Sequence, residues 1–106
     1  ERFFHKSFVW FGERTRFEGV KTYAGYQPTQ RVLLEGEAYI LDVAPIVKGF
    51  TSDIGVSGCY GENKQHAQAI DFLRQMKSEL TAGLMSPSVW SDMDEKIVAA
   101  GYDNIH

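Results

Sequence analysis

Cysteine is nearly absent from this sequence, which has a single one, Cys59, among 106 residues. One thiol forms no disulfide within the chain, so the fold needs no oxidising compartment and a cytoplasmic location is expected. No apolar run approaches the roughly 20 residues that cross a bilayer, and the first residues lack the apolar stretch of a signal peptide. These absences predict a soluble protein with no membrane partner.

An excess of positive charge is also lacking, because 11 Lys and Arg face 14 Asp and Glu, a net charge of −3. Proteins that bind nucleic acid neutralise its phosphates with surplus basic residues, so no nucleic-acid partner is expected. A small, cationic or metallic partner fits this balance better. The apolar content of 43% suffices for one core, and the length predicts a single domain over residues 1–106.

The first part of the chain has the composition of β-strands. Strands are predicted at Phe8–Phe11, 38–44 and 50–57, where apolar and β-branched residues are concentrated. The second of these is nearly continuous in apolar character, which predicts burial on both faces. Lys48-Gly49 is a turn signal that makes the second and third strands an antiparallel hairpin.

After Cys59 the apolar positions recur every three or four residues, which predicts an amphipathic helix over 63–84. Ser86-Pro87 begins a second helix, and Gly101 ends it. Trp90 and Met93 of this helix are predicted to be core residues. The order of strands followed by helices predicts an α+β fold, in which antiparallel hairpins pack against two amphipathic helices.

An acidic residue, Asp42, interrupts the apolar second strand, and a buried carboxylate needs a partner. Asp53 follows eleven positions later on the returning strand. If the hairpin is centred between Val47 and Lys48, the two carboxylates face each other with Cβ atoms about 5 Å apart. Two negative charges at that distance repel by roughly 3 kcal/mol at an effective dielectric near 20.

Three arrangements would relieve this repulsion. A cation lies between the carboxylates, one acid keeps its proton, or the register shifts so that the two do not meet. The Lys48-Gly49 signal taken alone centres the hairpin one residue later and places Asp42 opposite Gly55. A β-bulge would then restore the direct pairing.

Residues 35–54 read EGEAYILDVAPIVKGFTSDI, and this segment resembles the metal-binding hairpin of the pita-bread metallopeptidases. That family includes aminopeptidase P, Xaa-Pro dipeptidase and methionine aminopeptidase. In its members a glycine opens the strand, one aspartate ends an apolar run, and a second follows eleven residues later, after an aromatic turn. The likeness extends from about Val32 through both predicted helices.

The resemblance implies a hydrolase with two divalent metal ions, usually manganese, cobalt, zinc or iron, that cleaves peptide substrates. Carried over to this sequence, Asp42 would chelate one metal and Asp53 would bridge both. The family's other ligands, one histidine and two glutamates, are expected beyond the end of this chain, and His106 is not assigned that role. The chain is thus expected to be about the first half of a pita-bread domain and inactive by itself, with no catalytic residue assigned.

Two further departures from the family pattern lie within the chain, and the first concerns substrate binding. The histidine that helps to bind substrate would fall near Gly25 or Tyr26, and Gly55 stands where serine or threonine is common. His5 and His66 are isolated in sequence, so neither is given a role.

The leading hypothesis is a fragment of a metal-dependent peptidase, most similar to Xaa-Pro aminopeptidases and dipeptidases. The first alternative is a non-catalytic interaction module of the same fold that forms a homodimer. The second is a metal-free hydrolase in which the two aspartates serve as general acid and base.

Overall fold

The computed structural model describes residues 2–104 and forms two compact units, one that extends to Gln68 and one that begins at Ala69. The strands are β1 (Arg2–Phe3), β2 (Phe8–Phe11), β3 (Ala38–Val43), β4 (Pro45–Val47), β5 (Phe50–Thr51) and β6 (Ile54–Cys59). Two 3₁₀ helices, Gly12–Arg16 and Tyr23–Tyr26, lie between β2 and β3. The α-helices are α1 (Lys64–Gly83) and α2 (Val89–Ala99). The predicted α+β class is confirmed.

The strands form two antiparallel sheets, with the orders β2-β3-β6 and β1-β4-β5. Strands β3 and β6 pair as far as Val43 opposite Ile54, and β4 and β5 resume with Ile46 opposite Thr51. The predicted hairpin is therefore present, but it is interrupted near its middle, where the fully buried Ala44 lies.

The hairpin closes at Lys48 and Gly49, as the turn signal predicts. Both residues have positive φ angles, 52° and 85°. A two-residue turn with left-handed backbone at both central positions is type I′, whose twist matches that of the flanking strands. Val47 and Phe50 pair directly on either side of the turn. The turn therefore sets the register in which β4 pairs with β5 and β3 pairs with β6.

Replacing Gly49 by alanine is expected to lower the free energy of unfolding by about 1 kcal/mol, since left-handed backbone is unfavourable for any residue with a Cβ atom. No atom lies within 4 Å of the position that this Cβ would take, so the cost comes from the backbone alone. Lys48→Asn is expected to raise stability slightly, because asparagine tolerates this conformation. Urea unfolding followed by circular dichroism measures both changes. An unchanged midpoint for Gly49→Ala would contradict the turn.

The core of the first unit is an aromatic cluster on one face of the β2-β3-β6 sheet. Trp10 stacks on Phe8 with a centroid distance of 5.0 Å and meets Phe17 edge-on at 5.0 Å. Its indole Nε1–H donates to the Tyr26 carbonyl oxygen at 3.1 Å. On the other face Leu41 is 40% exposed, so the prediction that this strand is buried on both faces is wrong. An antiparallel sheet needs only one covered face.

The second unit contains most of α1 and all of α2. Met93 is buried as predicted, but Trp90 is 64% exposed, so its assignment to the core is wrong. Residues three apart are neighbours on a helix surface, but the covered face is the one that Met93 shares with Val89, and Trp90 lies outside the cover. Gly101 ends α2 with a φ of 82°, as predicted. Neither helix within residues 2–104 is long and apolar enough to span a lipid bilayer.

Candidate metal centre

Asp42 lies near the end of β3, the middle strand of its sheet. It pairs with Phe8 of β2 on one side and with Gly55 of β6 on the other, and it is half-buried. Gly55 has no side chain, and no atom lies within 4 Å of the place where a Cβ would be. The backbone of Asp42 is therefore held by two neighbouring strands, and open space lies beside Gly55.

Asp53 lies in the interruption between β5 and β6. The Ser52 backbone N–H and the Ser52 hydroxyl both donate to the Pro45 carbonyl oxygen, each at 3.0 Å. These two bonds hold the backbone immediately before Asp53 against the facing strand. The Asp53 side chain is 70% exposed, so the site is open to solvent on this side.

Of the two registers that the sequence left open, the structure has the one in which Asp42 opposes Gly55, so Asp42 and Asp53 are not directly opposed. The type I′ turn sets this register, as the Lys48-Gly49 signal alone predicts, and the bulge that would shift it is not found between β4–β5 and β3–β6. Asp53 precedes Gly55 by two positions and so lies diagonally from Asp42 on the same face of the sheet. The two carboxylates still meet, with ligand oxygens within 4.8 Å.

The structure adds a residue that the sequence analysis missed, His5. Its Nε2 lies 3.6 Å from Asp53 Oδ1, and suitable ligand atoms of His5, Asp42 and Asp53 all lie within 4.8 Å of one another. His5 reaches the carboxylates because β2, which begins three residues later, pairs with β3. The sequence analysis did not pair β2 with any strand, and that pairing is the signal that would have identified His5.

The pKa values of Asp42 and His5 reflect the charged and polar groups around them. Burial raises the pKa of the Asp42 carboxyl, and the neighbouring Asp53 carboxylate raises it further through hydrogen bonding and charge repulsion, while His5 acts in the opposite sense. The pKa of His5 is also raised, chiefly by its hydrogen bond to the Lys6 carbonyl. Desolvation of the ring lowers this pKa, and the negative charges of both aspartates raise it. The site therefore concentrates negative charge at one point.

Other residues considered from the sequence lie elsewhere. His66 is in the first turn of α1, where its backbone N–H donates to Asn63 Oδ1. Cys59 is a free thiol at the end of β6. Among the histidine, cysteine, aspartate and glutamate side chains of residues 2–104, one group of three is close enough to share a metal ion. It consists of His5, Asp42 and Asp53. His106 lies outside the described residues.

Comparison with known proteins identifies the family. The sequence matches the model of metallopeptidase family M24 over residues 2–103. The chain belongs to metallopeptidase family M24. Comparisons with curated proteins and with solved structures gave no match. Membership confirms the resemblance to pita-bread metallopeptidases, and the M24 match also covers β1 and β2, which precede the segment that carried the resemblance.

M24 proteins generally use divalent metal ions, and the donor atoms of this site fit such an ion. Two carboxylates and one imidazole are the oxygen and nitrogen donors that manganese, zinc, cobalt and iron accept in proteins. A divalent cation would also neutralise the paired negative charges of Asp42 and Asp53. The M24 chain thus presents a donor set suited to a metal centre.

Proposed function

We propose that this M24 chain supplies Asp42 and Asp53 as ligands of the divalent metal centre of a peptidase. The observation that supports this role is the diagonal pair of carboxylates, whose oxygens lie within 4.8 Å although like charges repel. A cation between the two carboxylates would relieve this repulsion, and the family match indicates a divalent metal ion as that cation.

The two aspartates differ in ways that suit the roles implied by the family. Asp42 is half-buried and held between β2 and β6, as suits a ligand that chelates one ion. The Asp53 side chain is 70% exposed, as suits a ligand that bridges two ions. Bound divalent ions provide a nucleophile at neutral pH and stabilise developing negative charge. The contribution of this chain is to hold both carboxylates in place before the ions arrive.

We propose peptides with an Xaa-Pro bond as the substrate class. This assignment is supported by the likeness of residues 35–54 to aminopeptidase P and Xaa-Pro dipeptidase. The histidine and two glutamates implied as further ligands stay a prediction, as do the homodimer and the cytoplasmic location.

Calorimetric titration with manganese or zinc tests the metal site. Asp42→Ala and Asp53→Ala are each expected to weaken binding at least about tenfold, which corresponds to about 1.4 kcal/mol. The matched control is Asp71→Ala, which removes an aspartate whose side chain is 75% exposed on α1 and pairs with Arg74 in the same helix. Equal affinity of the parent protein and Asp42→Ala would refute the proposal.

The substrate class needs a separate measurement. Manganese-loaded protein is incubated with Gly-Pro and with Met-Ala dipeptides, and hydrolysis of Gly-Pro supports the assignment. Cleavage of Met-Ala alone would contradict it. Cleavage of neither would agree with the prediction that two carboxylates do not complete a catalytic site, and would restrict the proposal to metal binding.

A further inference from the structure

We propose that His5 is a third protein ligand of the metal ion, bound through Nε2 alongside Asp42 and Asp53. This inference rests on the proposed function, since it requires an ion at the two carboxylates. His5 corresponds to neither histidine implied by the family resemblance, because both would fall at other positions, one of them near Gly25 or Tyr26. The role is specific to the way this chain places the segment between β1 and β2.

The distances suit ligands of one ion. Nε2 of His5 lies 3.6 Å from Asp53 Oδ1, which is longer than a normal hydrogen bond. Two ligand atoms bound about 2.1 Å from a tetrahedral zinc ion are about 3.4 Å apart. The observed separation therefore matches two ligands around a shared ion better than it matches a direct contact.

The ring of His5 is oriented with Nε2 toward Asp53 and Nδ1 toward the backbone. Its Nδ1 lies 2.7 Å from the Lys6 carbonyl oxygen. A carbonyl only accepts hydrogen bonds, so Nδ1 carries a proton, and in the neutral ring the lone pair is therefore on Nε2. Metal-binding histidines commonly donate their other ring N–H to a carbonyl or carboxylate in this way.

Two further contacts fix where the His5 segment lies. The ring packs against Phe8 at a centroid distance of 5.7 Å. The Phe4 backbone N–H donates to the Ala44 carbonyl at 2.8 Å, which ties the residue before His5 to the interruption of the hairpin. The imidazole is thus placed beside the carboxylates by contacts that involve neither of them.

A nitrogen ligand changes which ions the site prefers. Oxygen-only sites suit magnesium and calcium, whereas imidazole favours zinc, cobalt and other transition metals. With His5 as a ligand, the site is expected to bind zinc and cobalt in preference to magnesium. His5→Ala and His5→Gln are expected to weaken zinc binding at least about tenfold, with little change for magnesium.

The experiment combines zinc titration with pulsed electron paramagnetic resonance of the manganese-loaded protein. The parent and the control His66→Ala are expected to show modulation from a directly bound nitrogen, and His5→Gln is expected to lose it. A His5 that only forms an ion pair with Asp53 would compete with the metal, so its replacement would leave zinc affinity unchanged or higher. That result, or nitrogen modulation that persists in His5→Gln, overturns the proposal.

The two proposals fail separately. If Asp42→Ala loses zinc and His5→Gln binds it like the parent, the carboxylate site stands and the role of His5 falls. If the parent binds no divalent metal, both fall. Circular dichroism of each variant establishes that it is folded. The paramagnetic resonance spectrum of the parent tests nitrogen ligation without any substitution, because a parent without nitrogen modulation also overturns the proposal.

Discussion

Asp42→Asn is expected to stabilise the metal-free protein and to abolish its stabilisation by metal. In the parent protein two carboxylates have oxygens within 4.8 Å of each other. At about 5 Å the repulsion is roughly 3 kcal/mol at an effective dielectric of 20. Solvent screening at the exposed Asp53 reduces the expected gain to about 1 kcal/mol. For a domain of this size that corresponds to a rise of about 4–8 °C in Tm.

Saturating zinc should reverse the order of the two proteins. At a concentration one hundred times Kd, a ligand that binds only the folded state stabilises it by about 2.7 kcal/mol. The parent is expected to gain this amount, and the Asp42→Asn variant little or none. Scanning calorimetry with chelator and then with zinc measures the crossover. Asp71→Asn on α1 is the control and should follow the parent under both conditions.

A single outcome would contradict the arrangement of the site. If Asp42→Asn is less stable than the parent in chelator, the carboxylate at position 42 makes a net favourable interaction in the absence of metal. The repulsive pair would then not exist in the folded protein, and the physical argument for an ion between Asp42 and Asp53 would lose its basis.

Trp10→Ala is expected to lower the free energy of unfolding by about 3–5 kcal/mol, the usual cost of removing a buried tryptophan. Trp10 is buried, stacks on Phe8, and contacts Phe17 and Tyr26. The substitution removes these contacts and also leaves the indole bond to the Tyr26 carbonyl unmade. A loss of this size is a large part of the 5–15 kcal/mol typical of a whole domain.

The chain offers its own control in its second tryptophan. Trp90 is 64% exposed, and Trp90→Ala is expected to change stability by about 0.5 kcal/mol or less. Urea unfolding followed by far-ultraviolet circular dichroism suits both variants, because the signal does not depend on tryptophan. Similar losses for the two variants would contradict the location of the core.

Disruption of the aromatic cluster around Trp10 is also expected to disturb the candidate metal site. Phe8 is adjacent to Trp10 in the stack, pairs with Asp42 and packs against the ring of His5. The aromatic core therefore contacts two of the three candidate ligands, Asp42 and His5, through Phe8.

Local patterns in the sequence were sufficient to predict β2, β3, the two α-helices and one strand that the structure divides into β5 and β6. The three- and four-residue spacing of apolar residues predicts α1, and the Lys48-Gly49 pair predicts the turn between β4 and β5. Asp42 and Asp53 could be identified as a carboxylate pair because a hairpin brings nearby segments together whatever its exact register. Each of these inferences depends on residues close together in the chain, whose geometry is set by backbone preferences and side-chain periodicity.

The register of the hairpin was the first feature that pattern alone left open. Asp42 opposite Asp53 and Asp42 opposite Gly55 were both compatible with the sequence, and the type I′ turn decides for Gly55. The exposure of Trp90 was a second such feature. Periodicity shows which residues share a face of a helix, but it does not show which face is covered.

The sequence by itself determined the class of the fold, the turn and the pair of acidic residues at the candidate site, because these follow from local geometry. Only the tertiary structure brought His5 to Asp42 and Asp53, since that contact depends on the pairing of β2 with β3 across the long segment between them. Many strand pairings are compatible with one set of strands. The choice among them is made by the packing of the whole core, which no short stretch of sequence contains.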